Sequence, residues 1–242
     1  MILMGNWKMH KNKEEAKVFL SSLSQLQSKV SVWVFPPVIH MGLCDTFLQG
    51  SAIQYGVQHV SEHEQGAFTG EVSIEMAKSY GASAVLIGHS ERRHLYAETL
   101  QQVRQKVMLA NQHQMKMVLC VGETDLQREK NQTFDVIQEQ LETALKGLEE
   151  PSLVMVAYEP VWAIGTGKVA SVDQVNQVHA FIKDCLNTLF SDPKIPILYG
   201  GSVKKENAAL LLSQPLVDGA LVGGACLTLQ DFLTLIQVAE QC

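Results

Sequence analysis

The chain has 242 residues, 46% of them hydrophobic and 18% charged, an ordinary globular composition with ample material for a sizeable core. Its 25 acidic against 19 basic residues give a net charge of −6 without long runs of either sign, which argues against nucleic acid but leaves room for a local anion site. No stretch approaches the ~18 uninterrupted apolar residues of a membrane helix, and the five scattered cysteines form no CxxC pair or metal-ligand spacing, so the expectation is a reducing, cytoplasmic setting away from membranes.

Met1 to Met4 is apolar but stops at Gly5, ahead of Lys8, so no signal peptide is expected. Short apolar, β-branched runs then follow at Ile2 to Met4, Val30 to Phe35, Ala52 to Val57, Ala84 to Ile87, Met117 to Val121, Leu153 to Tyr158, Ile195 to Tyr199 and Ala220 to Val222. Apolar runs without strict alternation suit strands covered on both faces, as in parallel sheets. Helical spacing fills the intervals at Glu14 to Leu26, Leu100 to Ala110, Phe134 to Leu148, Val172 to Phe190 and Leu229 to Ala239. In the second of these, Leu100, Val103, Val107 and Ala110 share one face of a 3.6-residue period. The intervals after the second, third and seventh runs are shorter and carry less pattern. Eight strand–helix alternations with no low-complexity linker predict one (β/α)8 barrel with a parallel eight-stranded core, residues 1–242 forming a single domain. In such a barrel, function gathers at the C-terminal ends of the strands.

Chemistry-bearing residues stand at those ends. The first strand runs into Gly5-Asn6-Trp7-Lys8; residues two apart share a strand face, so Asn6 and Lys8 point the same way. A lysine at a strand end is otherwise an ordinary solvated charge. The fourth runs into Gly88-His89-Ser90-Glu91-Arg92-Arg93, a polar turn placed to open a helix whose amides favour a neutral histidine. There Ser90 reads equally as an N-cap and Glu91 as a first-turn acid. The sixth ends in Tyr158-Glu159-Pro160. Proline disfavours helical geometry at Glu159 and holds it extended, and a carboxylate closing a wholly apolar strand is poised for desolvation and a raised pKa, which suits a general base. Beyond it, Val161-Trp162-Ala163-Ile164-Gly165-Thr166-Gly167, between proline and glycines, reads as a lid with hinged ends or as a plain connecting loop. Gly200-Gly201-Ser202 and Gly223-Gly224 follow the last two strands, where barrels often bind phosphate on backbone N–H groups, with Ser202 able to add a hydroxyl.

These motifs, with Gly66-Ala67-Phe68-Thr69-Gly70-Glu71 and Cys120-Val121-Gly122-Glu123, occur in the order seen in the triosephosphate isomerase family, which the chain resembles over essentially its whole length. The resemblance implies a TIM barrel and the interconversion of dihydroxyacetone phosphate and D-glyceraldehyde 3-phosphate, a step of glycolysis and gluconeogenesis, without metal or organic cofactor. It makes Glu159 the base that removes the proton beside the carbonyl, His89 the electrophile that polarises the oxygens, Lys8 the stabiliser of enediolate charge and Asn6 the residue that positions Lys8 and substrate. Ser90, Glu91 and Cys120 support this set. The phosphate falls to Gly165, Ser202, Gly223 and Gly224, and the lid becomes Pro160 to Gly167, with Trp162 meeting Glu123 when it shuts and Tyr199 and Ser202 meeting its far end. Shutting would expel water and strengthen the field of Lys8 and His89.

The resemblance also implies a homodimer through the long loop from Gln58 to Glu71, with Thr69 near Asn6 and Lys8 of the partner subunit and Glu71 near the partner's Arg92; by composition alone that loop also reads as an exposed flap. Departures are His10 and His59, where Asn is frequent in the family, and Val121, where Ile is frequent. Another phosphate-binding barrel, such as an aldolase or an indole-type synthase, needs a mid-barrel Schiff-base lysine or a second catalytic carboxylate, and Lys116 precedes the fifth strand. A barrel that binds a phosphosugar without turnover is the remaining alternative; loss of Glu159, His89 or Lys8 would mark it, and all three are present.

Overall fold

The computed structural model describes residues 1–164, 168–191 and 193–242. Eight parallel strands, β1 (Ile2–Asn6), β2 (Ser31–Phe35), β3 (Gln54–Val57), β4 (Ala84–Ile87), β5 (Lys116–Val121), β6 (Val154–Tyr158), β7 (Ile197–Tyr199) and β8 (Gly219–Val222), each pair with the next, and β8 closes on β1. Among the described residues ten α-helices follow the strands, nine between them and the last after β8: α1 (Lys13–Leu23), α2 (Met41–Leu48), α3 (Ile74–Ser79), α4 (Ser90–Leu95), α5 (Leu100–Gln112), α6 (Asp125–Glu129), α7 (Thr133–Leu145), α8 (Val172–Leu189), α9 (Ala208–Leu212) and α10 (Leu229–Ala239). The architecture is the expected (β/α)8 TIM barrel.

The two-residue strand period divides the core in two. Met4, Trp33, Phe35, Leu86, Val118, Cys120 and Met155 turn inward and fill the barrel. Their neighbours Leu3, Val34, Ile87, Leu119, Val156 and Tyr158 turn outward and meet the apolar stripes of the helices. Both faces are therefore dry, which is why the strands read as continuous apolar runs. Local signals set the helix starts: Asn12 with Glu15, Thr99 with Gln102, Thr124 with Gln127 and Ser171 with Gln174 form reciprocal capping boxes, each satisfying two otherwise unpaired amides.

Boundaries shift by a few residues from those read in the sequence. β1 extends to Asn6, while β7 starts at Ile197 because Pro196 has no N–H for the ladder. α1 stops at Leu23, and α7 stops at Leu145, where Lys146 leaves helical geometry and Gly147 turns with φ +79°. The three short intervals hold the short helices α2, α3 and α9. No helix among the described residues is long and apolar enough to cross a membrane.

Candidate active site

Continuing the inward phase of each strand by one step gives the layer above the packed core. After Met4 comes Asn6, after Cys120 Gly122, after Ala157 Glu159, after Leu198 Gly200 and after Leu221 Gly223. The register thus carries Glu159 and Asn6 over the barrel mouth without special loop geometry. A cavity of about 560 Å³ opens there, lined by Asn6, Lys8, His89, Glu91, Glu159, Ser202, Gly223 and Gly224.

Glu159 is 2% exposed. Its Oε2 accepts the Ser90 N–H at 2.8 Å, and Oε1 lies 3.1 Å from His89 Nε2. Burial strips water from this carboxylate, and the Ser90 amide replaces part of that hydration, with His89 Nε2 close beside it. The Cys120 thiol sits beneath it; burial first, then the Glu159 charge, hold that thiol well above the ordinary cysteine range, so it stays a neutral neighbour. The close approach of β5 and β6 depends on Gly122, where a Cβ would lie 1.8 Å from the Glu159 carbonyl oxygen. That approach lets the Glu159 N–H donate to the Val121 carbonyl at 2.7 Å, which fixes the residue's backbone.

His89 is placed by Gly88, whose φ of +69° turns the chain sharply at the end of β4 in a region that suits glycine. His89, and not Ser90, is the N-cap of α4: its Nδ1 accepts the Glu91 N–H at 3.2 Å. Ser90 is the first helical residue, and its amide serves Glu159 instead. A ring that accepts at Nδ1 carries its own N–H at Nε2, the atom that faces Glu159 and the cavity.

Lys8 reaches the cavity by a different route from the shared strand face. β1 ends at Asn6, and Lys8 turns left-handed with φ +51°, its backbone N–H donating to Asn6 Oδ1 at 3.0 Å. A non-glycine residue in that region costs of order 1 kcal/mol or more and persists where its surroundings hold it. Here the holder is Gln58, whose Nε2 donates to the carbonyls of Lys8 and Phe35 at 2.9 and 2.8 Å. Lys8 Nζ rests on Glu91 Oε1 at 2.6 Å, so Glu91 is the cation's partner while the site is at rest.

At the other end of the cavity, the amides of Ser202, Gly223 and Gly224 donate to no acceptor among the described residues, and Gly224 begins a short 3-10 turn to Cys226. Exposed donors of this kind suit an anion. Gly165, expected beside them, lies outside the described residues, as do Thr166 and Gly167 of the lid.

The described part of the lid, Pro160 to Ile164, contains a 3-10 turn over Val161–Ala163. Trp162 Nε1 donates to Glu123 Oε1 at 2.9 Å, so the expected pair is in contact. Glu123 is fully buried and also takes Arg128 at 3.3 Å and the Tyr158 hydroxyl at 3.2 Å, while the Arg128 guanidinium lies 4.4 Å from the centre of the Trp162 ring. Ser202 Oγ donates to the Ala163 carbonyl at 2.8 Å, which ties it to the first half of the lid; its expected contact with the far end falls outside the described residues. Burial pushes the Tyr199 phenol up to about 12, opposed by the Ala170 amide beyond the lid.

Three supports escaped the sequence reading. Gln58 continues the inward phase of β3 beyond Gly56 and could have been found by register. Arg93, donating to the Gly88 and Cys120 carbonyls at 2.7 and 3.2 Å, and Arg128 carry no local signal that separates them from solvated charges.

A sequence model of the family described as triosephosphate isomerase matches residues 1–239. The chain is 43% identical to the triosephosphate isomerase of Coxiella burnetii (strain Dugway 5J108-111) over 251 aligned positions, covering 100% of this chain and 96% of that one. It is 44% identical to the protein of that name from Citrifermentans bemidjiense, over 99% of this chain and 98% of the relative. A third, from Chlamydia trachomatis serovar D, is 44% identical over 97% of this chain and 88% of its own length. With the match running through all eight strands and the loops above them, the chain belongs to the triosephosphate isomerase family.

Proposed function

We propose that Glu159 is the general base by which this chain interconverts dihydroxyacetone phosphate and D-glyceraldehyde 3-phosphate. The observation that carries the reading is a buried carboxylate beside His89 Nε2, in one cavity with Lys8 and a set of amides that donate to no acceptor among the described residues. The phosphate is held by the amides of Ser202, Gly223 and Gly224, joined by Gly165, which places the carbon skeleton over Glu159. Glu159 takes a proton from the carbon beside the carbonyl and returns it to the neighbouring carbon. His89 donates from Nε2 to the substrate oxygens, and Lys8, drawn from Glu91, stabilises the enediolate charge between the two transfers. Asn6 holds the Lys8 turn. A lid drawn over the cavity would exclude water, which strengthens each of these interactions.

The rival barrel chemistries lose support from Lys116, which starts β5 at the closed end of the barrel, with its ammonium 5.4 Å from the centre of the Trp33 ring. A coupled assay of glyceraldehyde 3-phosphate with the purified chain tests the reading. Turnover is expected; tight binding of a phosphate ester with no turnover would favour the binding-only alternative.

The residues 1–242 are read as a single catalytic domain, acting in the cytoplasm as a homodimer through the loop from Gln58 to Glu71. Exposed Phe68, stacked on His63 at 3.9 Å, together with exposed Met9, Leu95 and Tyr96, supports an apolar contact surface. The five free cysteines suit a reducing compartment.

A further inference from the structure

A second cluster of ionisable side chains lies apart from Glu159. Lys106 and Glu98, each side chain 3% exposed, form an ion pair at its centre. Arg92 Nε stands 3.3 Å from the same Glu98 oxygen, and Glu98 Oε2 is buried with no hydrogen-bond partner among the described residues. His59, at the root of the loop from Gln58 to Glu71, joins this cluster to the loop's far end. Its Nε2 lies 3.0 Å from Glu71 Oε2, and its Nδ1 lies 3.4 Å from Lys106 Nζ and 3.8 Å from Glu98 Oε1. Glu62, also in the loop, reaches Lys106 Nζ at 3.8 Å. These groups surround a cavity of about 200 Å³.

A single protonation state of His59 serves both its contacts. An ammonium can only donate, so Nδ1 must accept from Lys106, which leaves the ring N–H on Nε2 to donate to the Glu71 carboxylate. A second proton could go only to Nδ1, where it would face the Lys106 ammonium with the Arg92 guanidinium nearby. Three carboxylates pull the other way. Glu98 is already engaged by Lys106 and Arg92, Glu62 faces Lys106, and Glu71 is bound through Nε2 in either state. Burial and the two cations therefore prevail, and they hold His59 below the ordinary histidine range.

We propose that His59 is an acid-released latch: proton uptake at Nδ1 breaks its contact with Lys106 and frees the loop from Gln58 to Glu71 from the barrel wall. The folded, latched state resists the proton that an open loop accepts. Its stability is complete above the ordinary histidine range, near pH 6.5, and is lost as pH falls below that value. The latch acts within one chain, so it stands whether or not the loop also joins two subunits.

Hydrogen–deuterium exchange of the intact protein, corrected for intrinsic rates, tests this on peptides spanning residues 58–72, whose ends are tied by the Ser61 N–H to Val72 carbonyl bond of 2.8 Å. Between pH 7.5 and pH 5.5 the wild type is expected to lose about tenfold in protection across the loop while the β4 to β6 strands hold theirs. His59→Asn and His59→Gln, which keep a polar group without the titration, should each change by less than about twofold. A wild-type loop whose protection is independent of pH, or variants that lose protection as the wild type does, would overturn the latch.

Discussion

Glycine and histidine decide how the candidate site is assembled, and both do so through backbone geometry. Gly122→Ala would drive a Cβ to 1.8 Å from the Glu159 carbonyl oxygen, part of a backbone contact with no slack. We expect a loss of about 3 kcal/mol in urea stability and a collapse of turnover, since β5 and β6 must separate at the base itself. A variant as stable and active as wild type would show that the two strands can part without disturbing Glu159. His89 combines two roles that sequence kept apart, capping α4 through Nδ1 and facing the cavity through Nε2. The sequence left Ser90 open as a cap because serine is a common choice there; the ring takes the place where Gly88 turns the chain at the end of β4. Lys8 shows the same limit. Its left-handed turn depends on Gln58, fifty residues away, and no local pattern announces such a hold.

The strands were the most legible elements, because burial on both faces leaves a largely apolar run in each of the eight, broken mainly at the ends, as at Ser31, Gln54 and Lys116. Asn6 and Glu159 were found as strand-end residues; the packed barrel then shows them one step above the inward Met4 and Ala157. The shorter helices α3 and α9 were legible only as gaps between strands, since five or six residues hold too little of the helical period. The lid is a composite: its sequence shows the apolar turn, but its anchor, Glu123, belongs to the loop after β5. Trp162→Phe removes the indole donor from a fully buried carboxylate, an interaction worth roughly 1–3 kcal/mol. We expect about a tenfold loss in kcat/KM for the triose phosphate with little change in global stability, the signature of a lid that shuts less often. Unaltered kcat/KM would mean that the Trp162–Glu123 bond plays no part in turnover.

Taken as one body, the barrel stakes part of its stability on histidines that stay neutral inside it. His179 is fully buried between α8 and the barrel, its Nδ1 2.8 Å from the Leu216 carbonyl, and burial lowers its pKa from 6.5 to about 4. The unfolded chain takes up this proton first as pH falls, so the contribution is whole above about pH 6.5 and lost progressively towards pH 4. A shift of that size corresponds to about 3 kcal/mol, and His179→Gln should flatten the pH profile of urea stability by a comparable amount. An unaltered profile would refute that assignment. Assembly beyond one chain is proposed on resemblance alone, since the loop from Gln58 to Glu71 shows length and composition but no partner. Sedimentation should show dimers for the wild type and monomers for a loop-shortened variant, and an unchanged dimer would remove that loop from the interface. The proposed turnover rests on Glu159 moving the proton. The most direct check is turnover of glyceraldehyde 3-phosphate by Glu159→Gln, which keeps the side chain's size and can still occupy the Ser90 amide. The variant should bind a phosphorylated transition-state mimic yet lose about 10²–10⁴-fold in kcat; turnover within twofold of wild type would contradict the assignment.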